Sequence, residues 1–337
     1  MEIAAKKWVN ETPPSRILAI RLQAMGDTVI TLPYLQDLRT KMPVATQIDF
    51  LTRKEVSEIP QNLELFHKVY ALGGGRSEKL QLAEALFRLP ELLMNRYDMV
   101  LDLQNNKVSR FVRKSLATKS WSEFDRFSPI SAGERTRLTI EAAGIDEVKI
   151  DSNLKLKKDE SENILLNAGW DKLKQLIILN PAGAFETRNW PLDNYVRLAE
   201  LWLQKDNAIQ FLILGTNQIG EKAKFLKDKI GEHLINLVGQ TNSIEAFAII
   251  QKASIVISED SGLMHMAWVS GIPVLVMFGS TRSDWSRPLG ENSVLLDSSD
   301  LECGNCMRET CIYGDNRCLT RYTPDFVLNG AFGLLSN

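Results

Sequence analysis

Arg21-Leu22-Gln23-Ala24-Met25-Gly26-Asp27 sets a carboxylate just after the apolar run Arg16 to Ile20, where a helical pattern begins. At the carboxyl end of a buried strand, Asp27 can accept the proton of a bound hydroxyl. At a helix N-terminus the same carboxylate is stabilised by the helix dipole and serves as a cap. Both readings fit the local sequence. The second cluster is Ser258-Glu259-Asp260-Ser261-Gly262-Leu263-Met264-His265, which follows the apolar run Ser254 to Ile257 and opens the helical segment Met264 to Val269. Small and polar residues at such a turn leave helix N–H donors facing a ligand, and with the helix dipole they form an anion site. An ordinary capped helix is the alternative. His265 is the only one of the three histidines that lies in a motif.

The loop Asn180-Pro181-Ala182-Gly183-Ala184-Phe185-Glu186-Thr187-Arg188-Asn189-Trp190-Pro191 holds the corresponding position in the second half of the chain. Its small residues let a ligand approach closely. Arg188 offers a fixed fork of donors suited to phosphate, unless it is simply a solvated surface arginine. Trp190 is expected to pack. All four cysteines fall in one window, Cys303-x2-Cys306-x4-Cys311-x6-Cys318. Four thiolates can enclose a structural zinc. Reduced free thiols are the alternative, because a reducing cytoplasm disfavours disulfides. No His lies nearby to activate a thiol for catalysis.

Elements that would position these residues alternate. Strands are expected at Arg16 to Ile20, Ile48 to Leu51, Tyr97 to Asp102, Leu176 to Leu179, Gln210 to Leu214, Ser254 to Ile257 and Val274 to Phe278. Helices are expected over Thr28 to Lys41, over Leu80 to Asn95, and from a cap at Asp193 to about Leu203. Asn242-Ser243-Ile244-Glu245 resembles a capping box. Alternating β and α elements predict parallel sheets with right-handed crossovers, with ligands at the carboxyl ends of strands. The rhythm restarts after the charged stretch Lys155 to Glu162. Two Rossmann-like domains are therefore expected, residues 1–168 and 169–337, with residues 1–15 as a loose leader.

Composition narrows the class. The 337 residues are 44% hydrophobic and 24% charged, with a net charge of −2, so no overall field favours nucleic acid. No apolar run approaches the ~18–20 residues that span a bilayer. The expectation is a cytoplasmic protein. There is no G-x-x-x-x-G-K-[ST] loop, and Gly73-Gly74-Gly75 lacks the G-x-G-x-x-G spacing. No Asp-x-Asp occurs, so a nucleotide diphosphate would be neutralised without a metal held by that motif.

These motifs together resemble glycosyltransferase family 9, the lipopolysaccharide heptosyltransferases. The N-terminal part of the likeness is Arg21-x4-Gly26-Asp27-x3-Thr31-Leu32-Pro33 with Leu38-Arg39 and Pro43. The C-terminal part is Asn180-Pro181 through Arg188-x-Trp190-Pro191, Gly215, and Asp260-Ser261-Gly262-x2-His265. The cysteine window followed by Thr323-Pro324 is similar to the heptosyltransferase II branch. Residues 105–150 match weakly, Arg188 stands where the family has Lys, and Asn189 replaces a commonly basic residue.

The resemblance implies a GT-B fold with the active site in a central cleft between two Rossmann-like domains. It implies inverting transfer of heptose from ADP-heptose to a lipid-linked inner-core saccharide, with no cofactor required for catalysis. Asp27 would be the general base, and Arg188, Asp260, Ser261, Gly262, Leu263 and His265 would hold the donor, with Thr216, Glu221 and Asn242 as further candidates. Residues 1–168 would serve the acceptor and 169–337 the nucleotide sugar. A peripheral contact with the cytoplasmic face of the inner membrane follows from the lipid-linked acceptor. Another nucleotide sugar on the same fold, or a non-catalytic nucleotide-sugar-binding member, are the competing readings.

Overall fold

The first sheet grows outward from β2 (Arg16–Ile20) and the second from β7 (Gln175–Asn180), and the loops with chemical potential sit where the strand order reverses. In a computed structural model, which describes residues 3–336, the chain divides into two units, 1–157 and 158–337. The first unit contains β1 (Ala5–Lys6), β2 (Arg16–Ile20), α1 (Met25–Lys41), β3 (Gln47–Arg53), α2 (Glu58–Asn62), β4 (Lys68–Leu72), α3 (Glu78–Met94), β5 (Met99–Asp102), α4 (Lys107–Leu116), β6 (Ser120–Glu123) and α5 (Ala132–Ala142). Its sheet has the order β1-β6-β5-β2-β3-β4, all pairs parallel except β1 with β6. Sequence order runs outward from β2 to β4, then returns to β5 on the other side of β2. That reversal is the switch point at which open α/β sheets bind ligands.

The second unit contains α6 (Ser161–Asn167), β7 (Gln175–Asn180), α7 (Leu192–Lys205), β8 (Ile209–Ile213), α8 (Gly220–Ile230), β9 (Leu234–Asn236), α9 (Ser243–Ile250), β10 (Ile255–Glu259), α10 (Gly262–Val269), β11 (Val274–Met277), α11 (Ser283–Ser286), β12 (Ser293–Leu296), α12 (Arg317–Thr320) and α13 (Pro324–Leu335). Its sheet, β12-β11-β10-β7-β8-β9, is wholly parallel and reverses between β7 and β10. Near-continuous apolar runs form its strands because helices cover both faces. On α7, Tyr195, Leu198, Ala199 and Trp202 are buried at helical spacing. Trp202 meets Phe211 of β8 edge-on at 6.2 Å. Full burial of one such side chain is worth roughly 1.5–3 kcal/mol.

Three expectations are corrected. The units part at Lys157–Lys158 and not near residue 168, because α6 packs on α9 of the second unit. Residues 1–15 are not wholly a loose leader: Ala5 and Lys6 pair with Trp121 and Ser122, and the Trp8 N–H donates to the Ala143 carbonyl at 2.8 Å. Residues 1–2 of that leader lie outside the described residues. Asp193 is in the first turn of α7, whose cap residue is Pro191.

Candidate active site

In the second unit, the loops after β7 and β10 meet at the switch point. Asn180, at the end of β7, donates to the Ser258 hydroxyl at 2.8 Å and to the Ser261 hydroxyl at 2.6 Å. Ser261 is the N-cap residue of α10, yet its side chain makes no capping bond. The first-turn N–H groups of α10 are therefore left without a side-chain cap among the described residues. Such donors, at the positive end of a helix, attract an anion. Asp260 to Leu263 are half-buried at this turn, whereas His265 is only 6% exposed, on the part of α10 that is buried from Met264 onward.

Arg188 extends over this turn. It pairs with Asp260 at 2.8 Å, donates to the Asp260 carbonyl, and lies over the Phe185 ring. Thr281 fixes the same Asp260 carboxylate at 2.7 Å. Thus Arg188 is anchored and not a freely solvated arginine, with its side chain 18% exposed.

Beneath the loop lies Glu259, which is fully buried. Its carboxylate accepts the Gly183 N–H at 2.6 Å, the Trp190 N–H at 2.7 Å and the Tyr195 hydroxyl at 3.3 Å. Burial pushes its pKa up to about 7; the N–H groups of Gly183 and Trp190, the Lys222 charge and the Tyr195 hydroxyl oppose that rise. Lys222 of α8 donates to the Pro181 carbonyl at 2.9 Å and to Asn189. Burial lowers its pKa, and the Glu259 charge opposes this. Gly183 has no room for a side chain, since a Cβ there would stand 2.3 Å from the Arg188 carbonyl oxygen and 2.8 Å from the Glu259 carboxylate. The signal for Glu259 was its alternation with Ile255 and Ile257, which lie in the core on the same side of β10. Lys222 carried no motif.

In the first unit, the loop after β2 is held by the loop after β5. The Leu22 and Gln23 N–H groups donate to the Gln104 side chain at 3.0 and 3.1 Å. Buried Arg21 donates to the Leu103 carbonyl, lies 4.9 Å from the Phe124 ring centre and pairs with Asp27 at 2.9 Å. Asp27 Oδ2 also accepts the Ala24 N–H at 3.0 Å, so the residue does cap α1. Its side chain is still 38% exposed, and no hydrogen bond or ion pair to Oδ1 occurs among the described residues.

The remaining candidates lie in neighbouring loops of the same unit, and Glu221 directly precedes Lys222, which bonds to the arginine loop. Thr216 and Glu221 are exposed, at the turn after β8 and in the first turn of α8. Asn242 caps α9 in a reciprocal box with Glu245, at 2.9 Å in each direction. None of the three shares a hydrogen bond or ion pair with Arg188 or Asp260 among the described residues.

The four cysteines do converge, lining one cavity of about 30 Å³ with Thr187, Ser280 and Arg308. Even so, among the described residues no group of three or more His, Cys, Asp or Glu could hold a metal ion. The expected structural zinc is therefore unsupported among the described residues. Cys318 also packs against the core of the unit, Cys306 is exposed, Cys303 is half-buried, and Cys311 faces Asp315 at 3.8 Å. Burial pushes the Cys318 thiol up to about 11, with a contribution from the other three thiols. Burial also pushes Cys311 upward, but backbone N–H groups of Asn316, Tyr313, Asp315 and Gly314 outweigh it and lower its pKa. The cysteine segment buttresses the arginine loop, because Thr187 bonds to Ser280 at 2.8 Å and to the Arg308 carbonyl, and Asn316 donates to Glu186 at 2.9 Å.

Comparison with known proteins decides the family. The model of glycosyltransferase family 9 (heptosyltransferase) matches residues 86–316. The chain belongs to glycosyltransferase family 9. It is 24% identical to the lipooligosaccharide heptosyltransferase 2 of Haemophilus influenzae, over 95% of this chain and 99% of that one. It is also 24% identical to the lipopolysaccharide heptosyltransferase 1 of Pseudomonas aeruginosa, over 88% of each. Among solved structures, a glycosyl transferase family 9 protein from Veillonella parvula superimposes with a TM-score of 0.77 at 17% identity, covering 96% of this chain and 97% of that one. The ADP-heptose lps heptosyltransferase II of E. coli gives 0.73 at 18% identity, with 95% and 98% covered. The family 9 chain thus has the GT-B fold and is a glycosyltransferase.

Proposed function

We propose that this family 9 enzyme transfers heptose from ADP-heptose, with inversion, to a lipid-linked inner-core saccharide. The observation that carries the reading is the uncapped start of α10 beside the anchored Arg188 guanidinium. Donors fixed in advance stabilise charge that develops only in the transition state. Here that charge is the ADP leaving group. An acceptor hydroxyl attacks the anomeric carbon, the bond from that carbon to the phosphate oxygen breaks, and Asp27 takes the hydroxyl proton. Asp260, Ser261, Gly262 and Leu263 shape the diphosphate turn, and Glu259 and Lys222 hold its loop. The unit 158–337 is assigned to the donor and 1–157 to the acceptor. The reading requires no cofactor and carries with it a site of action at the cytoplasmic face of the inner membrane.

The test is a panel of nucleotide sugars offered with candidate inner-core acceptors, both heptose-free and already carrying a heptose. Acceptor-dependent release of ADP from ADP-heptose is expected. Preferential turnover of another nucleotide sugar would replace the donor. Tight binding of ADP-heptose without transfer to any acceptor would make the chain a binding protein.

A further inference from the structure

Helix α3 turns an apolar face outward. Gln81, Ala85 and Leu92 are buried on its inner side. On the outer side Leu80, Ala83, Phe87, Pro90 and Met94 are all exposed, at spacings that line up along one face of a helix. Phe87 is 80% and Met94 75% exposed. Leu86 and Leu93 widen the same stripe. Monomeric soluble proteins rarely leave so continuous an apolar strip in water.

The surroundings of the strip are basic. α4 packs beside α3, and Lys107, Arg110 and Lys114 stand exposed along it at i, i+3 and i+7. Arg76 and Lys79 are exposed at one end of α3, and Arg96 at the other. The nearby acids are engaged: Glu78 with Lys107 at 3.3 Å, and Glu91 with Lys68 at 2.5 Å and Arg88 at 3.6 Å. Glu84 is half-buried against Gly73. A positive rim thus surrounds an apolar stripe on a chain whose overall charge is −2.

We infer that this face of α3 and α4 docks on an anionic lipid bilayer surface. A helix lying in the interface buries an apolar face among the headgroups while Lys and Arg meet the lipid phosphates. Charge selects this occupant, since an apolar protein groove would gain nothing from the basic rim.

The experiment is co-sedimentation of the full chain with vesicles of phosphatidylcholine alone or with added phosphatidylglycerol. No donor or acceptor is present, so the result is independent of the proposed transfer. Wild-type protein is expected to favour the anionic vesicles and to release with added salt. The double variant Phe87→Ser/Met94→Ser should lower partitioning at least about tenfold. Arg110→Glu/Lys114→Glu should lower it about thirtyfold on anionic vesicles, at about fivefold for each basic residue. These side chains are exposed, and unchanged thermal unfolding will verify the folding of each variant. Failure of wild-type protein to bind anionic vesicles, or equal binding by all three proteins, overturns the inference. So does a wild-type dimer that Phe87→Ser/Met94→Ser converts to monomer without changing vesicle binding, since a second copy would then cover the face.

Discussion

Replacing Glu259 with Gln should change how stability responds to pH more than it changes stability itself. Glu259 is fully buried, and its pKa is raised from 4.5 to about 7. The folded protein therefore binds this proton more tightly than the unfolded chain does, and stability from this group falls as pH rises between those values. Holding the charged form costs about 3 kcal/mol above pH 7, and little of that cost remains near pH 4.5. Gln carries no charge at either pH, but its NH2 group must face one of the two loop N–H donors. Such a mismatch costs about 1–3 kcal/mol at every pH. The two effects nearly cancel at pH 8, and the mismatch dominates at pH 5. Guanidinium unfolding of both proteins at both pH values isolates the titration. The stability gap between wild type and Glu259→Gln should shift by about 2–3 kcal/mol in the variant's favour on going from pH 5 to pH 8. A gap that is the same at both pH values would show that Glu259 does not titrate in this range and that burial does not govern its charge.

Asp27→Asn is expected to lower transfer by about 10²–10⁴-fold while ADP-heptose binding, followed by calorimetry, stays close to wild type; near-normal turnover would leave Asp27 as a cap only. Arg188→Ala should weaken binding of the nucleotide diphosphate by about 1.5–3 kcal/mol and of the bare nucleoside far less, so equal losses would take the arginine off the phosphates. Transfer should persist in EDTA, because the α10 N–H groups and Arg188 supply the positive charge; strict dependence on added Mg²⁺ or Mn²⁺ would contradict this. Iodoacetamide at neutral pH should label Cys311 well before Cys318, as the lowered and raised thiol pKa values require, and mass mapping of the labelled peptides would expose the reverse order.

Both switch points were legible because an apolar strand followed by small and polar residues before a helix is a local pattern. The strand Arg16–Ile20 is found as expected, and Ile255–Glu259 is displaced by one to two residues. What the sequence hid depends on contacts distant along the chain. Glu259 read as one polar residue of a turn, and only three-dimensional packing reveals that it anchors Gly183 and Trp190 from below. The domain boundary was expected near residue 168, after the charged stretch Lys155 to Glu162, yet the seven-residue helix Ser161–Asn167 that starts at the end of that stretch packs on α9. Strand β1 has only two residues, too few for any periodicity. Cysteine density was plain in the sequence, and the fold brings all four side chains to one cavity, but turn geometry decides whether their sulfurs can share a metal, and no such group is found among the described residues.

Glu259 and Asp260 are consecutive, and successive side chains of an extended chain leave on opposite sides. One acid therefore fastens the loop from inside, and the next meets Arg188. Shifting the end of β10 by a single residue would exchange the two environments, driving the half-buried Asp260 inward and the anchor outward. Natural variation and engineering alike should then tolerate volume-conserving apolar exchanges at Ile255 to Ile257 but no insertion or deletion within this strand. Its length, more than its composition, is the inherited quantity.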